Sequence, residues 1–132
     1  VAGAAADLIM QETEDLRANA VPGDLRGAVR IVVNQYEHSG DSNVRWAMSA
    51  ERLGSLASRI DEARALHQRW LAGVFAADLP SGGPARRRAV NALHAATDVY
   101  TWKLLRRDLG LSRRETENTM ADLVAGVLRG AS

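Results

Sequence analysis

His38, His67 and His94 are the side chains best suited to move a proton near neutral pH or to hold a metal, and the sequence keeps them far apart. No His-x-x-x-His or Glu-x-x-His pair places two ligands on one helix face. There is no glycine-rich phosphate cradle and no Gly-x-Ser-x-Gly elbow. Asp61-Glu62 and the Glu115/Glu117 pair read as surface carboxylates. With no cysteine, the chain has no disulfide, no thiolate zinc site and no cysteine nucleophile. These patterns point away from an enzyme and imply no cofactor and no metal.

Binding chemistry is better represented. His67 lies at the centre of a stripe made with Ile60, Ala63, Trp70, Leu71 and Val74. Two roles are open to it: a core histidine bonded to a protein partner, or a pocket residue that hydrogen-bonds a ligand. Desolvation favours its neutral form in either case, able both to donate and to accept. Tyr36, Trp46, Trp70, Tyr100 and Trp102 make up most of the aromatic content, and each fits either a core or the wall of an apolar cavity. Thr97 and Thr101 can donate to a ligand or bond their own backbone. The candidate ligand-binding set is Tyr36, Trp46, Met48, His67, Trp70, Thr97, Tyr100 and Thr101. Asp98 falls among apolar neighbours near Trp102 and requires a partner; an arginine of the chain, of a second copy or a group on a ligand would serve, and the structural pairing is the expected one.

These residues must be held by helices. At 132 residues the chain is one domain's worth of material, and no strand-like alternation of useful length, repeat or low-complexity tract interrupts its helical periodicity. Residues 4–18 carry Leu8, Ile9 and Leu16 on one side. Val21-Pro22-Gly23 breaks that segment and Asp24 can cap the next, in which Leu25, Val29, Val32 and Tyr36 recur at helical spacing. A second break is expected at His38-Ser39-Gly40-Asp41. A short segment from Ser42 to Leu53 follows, apolar on two sides and so wedged between others. Gly54-Ser55 starts a long helix reaching Asp78. Leu79-Pro80-Ser81-Gly82-Gly83-Pro84 is the strongest break in the chain. The expected fold is all-α, with about six helices.

The segment from 85 to 109 reads as one long helix with two apolar faces. Val90, Leu93, Thr97, Tyr100 and Leu104 form one; Ala95, Val99, Trp102, Leu105 and Leu109 form the other. Gly110 reads as a C-terminal stop with Leu111 folding back on Leu105, and Ser112-Arg113-Arg114-Glu115 matches a capping box. The last helix carries Thr116, Met120, Leu123, Val124 and Val127 on one face. A helix apolar over most of its girth needs cover on both sides, which points to a second copy of the chain: a homodimer in which the last two helices of each protomer make a four-helix bundle. The candidate interface is Val90, Leu93, Leu104, Met120, Leu123 and Val127. The alternative is that this helix is the central one of a monomer.

Bulk charge is balanced, with 17 basic and 16 acidic residues and a net charge of +1, so it offers no argument for a polyanion partner. Arg86-Arg87-Arg88 and Arg106-Arg107 read as a solvated face or intersubunit ion pairs rather than a nucleic-acid patch. No apolar stretch approaches the length of a membrane span.

The run Thr97-Asp98-Val99-Tyr100-Thr101-Trp102-Lys103-Leu104-Leu105-Arg106-Arg107-Asp108-Leu109-Gly110-Leu111-Ser112-Arg113 resembles the end of the penultimate helix in TetR-type transcriptional regulators. Tyr36-Glu37-His38-Ser39-Gly40-Asp41 resembles that family's break between two ligand-domain helices, and His67-Gln68-Arg69-Trp70 followed by Phe75 resembles the helix after it. The likeness spans nearly the whole chain. It implies a cytoplasmic effector-binding and dimerisation domain over residues 1–132, with a linking-helix region at 1–19 and dimerisation helices at 84–129. It further implies a small, largely apolar effector that modulates operator binding, and contact with DNA only through a head domain to which nothing in this sequence corresponds. The competing reading is a helical dimerisation module that binds no effector.

Overall fold

The pattern of turns and helical stripes condenses into an all-helical fold in the computed structural model, which describes residues 2–50 and 54–131. In chain order the helices are α1 (Ala2–Arg17), α2 (Leu25–Ser49), α3 (Gly54–Val74), α4 (Gly83–Thr97), α5 (Val99–Lys103) and α6 (Arg113–Ala131). A 3₁₀ turn at Ala76–Asp78 follows α3, and a π turn at Leu104–Asp108 follows α5. No strand occurs among the described residues.

Local chemistry explains most boundaries. Gly23 takes a left-handed φ of 81°, which glycine adopts without a Cβ clash, and its N–H donates to Val74 O over 2.8 Å. The α1–α2 turn is thereby tied to the end of α3. Asp24 caps α2, its Oδ1 accepting from Gly27 N at 3.1 Å. Past α5, Gly110 has φ 69° and Leu111 N donates to Leu105 O at 3.0 Å, a glycine stop whose closing bond spans one residue more than the usual six-to-one because the preceding turn is π. Ser112 Oγ accepts from Glu115 N at 3.1 Å and starts α6.

Three expected boundaries differ, the mildest being the end of α3, which stops at Val74 and hands over to the 3₁₀ turn that reaches Asp78. The break at 38–41 does not exist: α2 runs 25 residues without interruption. Gly40 is there for space, since a Cβ on it would stand 2.6 Å from Trp102 Cζ3. The segment expected from Ser42 is therefore the second half of α2; its expected end at Leu53, like the side chain of Ile9, lies outside the described residues. That half is also not apolar-covered on two sides, because Met48 is 66% exposed.

The single helix expected over 85–109 is broken at Asp98, whose ψ of 155° is extended. Asp98 Oδ2 accepts from Tyr100 N at 3.0 Å and begins a new helix. The break changes which side faces inward. Before it, Val90, Leu93 and Thr97 are buried; after it, Trp102 and Leu105 are buried while Tyr100 and Leu104 face out. One protomer thus covers much of both faces in turn.

The core joins Ala28, Val29, Val32, Val33 and Tyr36 of α2 to Leu71 and Phe75 at the end of α3, Leu93 and its neighbours in α4, and Met120, Ala121 and Val124 of α6. Of the candidate interface, Val90, Leu93 and Met120 belong to this core. They are covered within the protomer. Leu104 and Leu123 remain 49% and 45% exposed, and Val127 packs partly buried against the core. No helix among the described residues is long and apolar enough to cross a membrane.

Candidate functional site

Between α1, α2 and α3, closed at one end by the α4–α5 junction, lies a cavity of about 480 Å³. That is within the range of small-molecule sites. The long uninterrupted α2 supplies Tyr36 and Trp46, the α3 stripe supplies Ile60, Ala63, His67 and Trp70, and the junction supplies Asp98 and Tyr100. The wall from α1 is Met10, Thr13 and Arg17, which share one face of that helix because they are three and four residues apart.

A continuous polar network forms one end of the cavity. Thr97 Oγ1 donates to Leu93 O at 2.7 Å. It can then only accept from His67, whose Nε2 lies 2.8 Å away. This assigns the Nε2–H tautomer and leaves Nδ1 to accept from Arg17 Nη1. Arg17 Nε donates to Gln35 Oε1 at 3.1 Å, and Gln35 Nε2 donates to Thr13 Oγ1 at 2.9 Å. The guanidinium also lies 4.9 Å over the Trp70 ring, while Trp70 Nε1 donates to Arg17 O at 2.9 Å. The end of α1 is thus bonded to α2 and α3 through one arginine.

Electrostatics sharpen the picture. Burial holds His67 well below the usual histidine range, and the Arg17 and His94 charges push the same way. Burial pushes the Tyr36 phenol up to about 12, so it stays a donor, bonded to Thr97 O at 2.8 Å. Burial raises the Asp98 carboxyl, but the hydrogen bond from His94 and the Tyr100 amide outweigh it and hold the group below the usual range. His94 Nε2 is 3.1 Å from Asp98 Oδ1, and its Nδ1 is 3.1 Å from Gln68 Nε2. Asp98 therefore finds its structural partner in a histidine and a backbone amide, not in the expected arginine. Among the described residues no group of three His, Asp or Glu side chains could hold a metal ion.

Of the candidate ligand residues, Tyr36, Trp46, His67, Trp70 and Tyr100 line the cavity. Met48, Thr97 and Thr101 do not. Met48 points to solvent, Thr97 stands behind His67, and Thr101 spends its hydroxyl on Ala95 O at 2.5 Å. Sequence reasoning missed Arg17, Gln35 and His94. The signal for Arg17 was the Met10–Thr13–Arg17 spacing, hidden because Leu8, Ile9 and Leu16 drew the apolar side elsewhere. Trp102 lies outside the cavity; its Nε1 donates to Glu37 Oε2 at 2.8 Å.

Comparison with protein families, with curated proteins and with solved structures finds no match to this chain.

Proposed function

We propose that this chain is the effector-binding and dimerisation domain of a TetR-like DNA-binding transcriptional regulator, a cytoplasmic binding protein rather than an enzyme. The observation that carries the reading is the cavity, large enough for a small molecule and mostly apolar, with one polar end anchored on α1. In the resemblance α1 is the helix that leads to the DNA-binding head. A ligand changes operator affinity only if it binds one arrangement of the paired heads better than another. A cavity whose wall includes the linking helix supplies that difference directly. The dimer is supported by apolar side chains that remain exposed at the carboxyl end, Tyr100, Leu104, Leu109 and Leu123.

A thermal-shift screen with lipophilic compounds tests the reading, because binders of the native state raise the melting temperature. At least one compound class is expected to stabilise the protein, and Ala63→Trp, which fills the cavity, is expected to abolish the shift. A screen in which no compound stabilises the wild type favours the effector-free dimerisation module.

A further inference from the structure

We propose that the occupant of this cavity is an apolar molecule bearing a carboxylate, and that Arg17 receives that carboxylate. The inference rests on the cavity being an effector site and names the class of effector.

The Arg17 guanidinium is partly buried at the cavity wall, where a charge is costly unless it is paired. Its protein partners are neutral: Gln35 Oε1 and His67 Nδ1 accept from Nε and Nη1, and Trp70 lies beneath it. None of the ion pairs among the described residues includes Arg17, and its other polar neighbour, the Tyr36 hydroxyl, is kept neutral by burial. The tautomer of His67 matters here. With Nε2–H committed to Thr97, the imidazole is an acceptor toward Arg17 and brings no negative charge. The guanidinium is thus held in place by Gln35, His67, Trp70 and Tyr36, none of which neutralises it.

The cavity lining also includes Arg59, Arg64, which pairs with Asp61 at 3.8 Å, and Arg69, alongside two carboxylates, Glu14 and Asp98. Asp98 forms its ion pair with His94 and accepts from the Tyr100 amide, and makes no ion pair with Arg17. Glu14 is exposed to solvent. Arginine is always charged and offers a planar fork that matches a carboxylate. An apolar chain with a carboxylate at one end fills the greasy part of the cavity and supplies the counter-charge. Because Arg17 is the last residue of α1, the same contact acts on that helix.

The test compares decanoate with decan-1-ol, which share an apolar chain and differ in charge, using quenching of the cavity tryptophans to measure Kd. Decanoate is expected to bind roughly ten-fold more tightly than the alcohol, the value of one desolvated charge-assisted hydrogen-bond pair. Arg17→Gln keeps an amide donor for His67 but removes the charge, and it is expected to lose that preference. Equal affinity for acid and alcohol in the wild type overturns the carboxylate proposal and leaves the effector site standing, and this comparison needs no variant. A preference that survives Arg17→Gln overturns the role of Arg17. Binding of neither probe overturns both the proposal and the cavity reading on which it rests.

Discussion

Trp102 and Gly40 meet so closely that any side chain on residue 40 would enter the indole ring: the nearest ring atom is 2.6 Å from where a Cβ would stand. The ring has little freedom to retreat. It is fully buried, its Nε1 is bonded to Glu37 at 2.8 Å, and Arg107 lies 4.8 Å over its face. Arg107 in turn pairs with Asp41 at 3.1 Å, and Arg106 with Glu37 at 3.1 Å. Glu37, Gly40 and Asp41 thus form one docking face of α2 for α5 and the π turn.

Gly40→Ala is therefore expected to destabilise the fold. Overpacking costs about 1–3 kcal/mol, which exceeds the gain of just under about 1 kcal/mol from replacing a mid-helix glycine. Urea denaturation followed by circular dichroism measures the net change. A variant more stable than the wild type would show that the ring yields freely and that the contact does not constrain residue 40.

The same contact shows why the sequence misled at this point. Gly40 beside Ser39 and Asp41 carries every local mark of a turn, and only a residue 62 positions later explains it. Asp98 is the converse case. Apolar residues continue at helical spacing on both sides of it, and the break becomes visible only when its carboxylate is seen capping Tyr100. The two apolar faces read from the 85–109 segment are real, but the kink lets one protomer bury the first face before Asp98 and the second after it. The caps at Asp24 and Ser112 and the stop at Gly110 were legible because they are written within a few residues. The α3 stripe gave His67 and Trp70 for the same reason. Arg17 joins them only through tertiary contact, across 50 residues to His67.

His67 gives the fold a pH dependence with a definite sign. Burial lowers its folded-state value well below the unfolded 6.5, so the unfolded chain binds more protons between those two values. Stability is then fully present above pH 6.5 and is lost as pH falls below it, with a slope of up to about 1.4 kcal/mol per pH unit from this one group. Chemical denaturation at neutral and mildly acidic pH is expected to show this loss, and His67→Gln is expected to flatten it. An unchanged slope in that variant would assign the dependence to other groups.

The proposed dimer rests on side chains left exposed at the carboxyl end. Leu104→Arg and Leu123→Arg introduce a charge at positions 49% and 45% exposed, so each is expected to leave the protomer folded and yield a 14.3 kDa species in light scattering. An unchanged oligomeric mass with intact helicity would move the interface elsewhere. A wild type that is itself a single protomer in dilute solution would remove the dimer.

The three tryptophans report separately on ligand binding in the cavity bounded by α1, α2 and α3. Trp46 and Trp70 line the cavity, whereas Trp102 is bonded to Glu37 outside it. A ¹H–¹⁵N correlation spectrum resolves their indole N–H signals, and titration with a stabilising compound is the most direct measurement. The Trp46 and Trp70 signals are expected to shift to saturation with the compound's Kd while the Trp102 signal stays in place. A stabilising compound that shifts Trp102 and leaves Trp46 and Trp70 unmoved would contradict binding in this cavity.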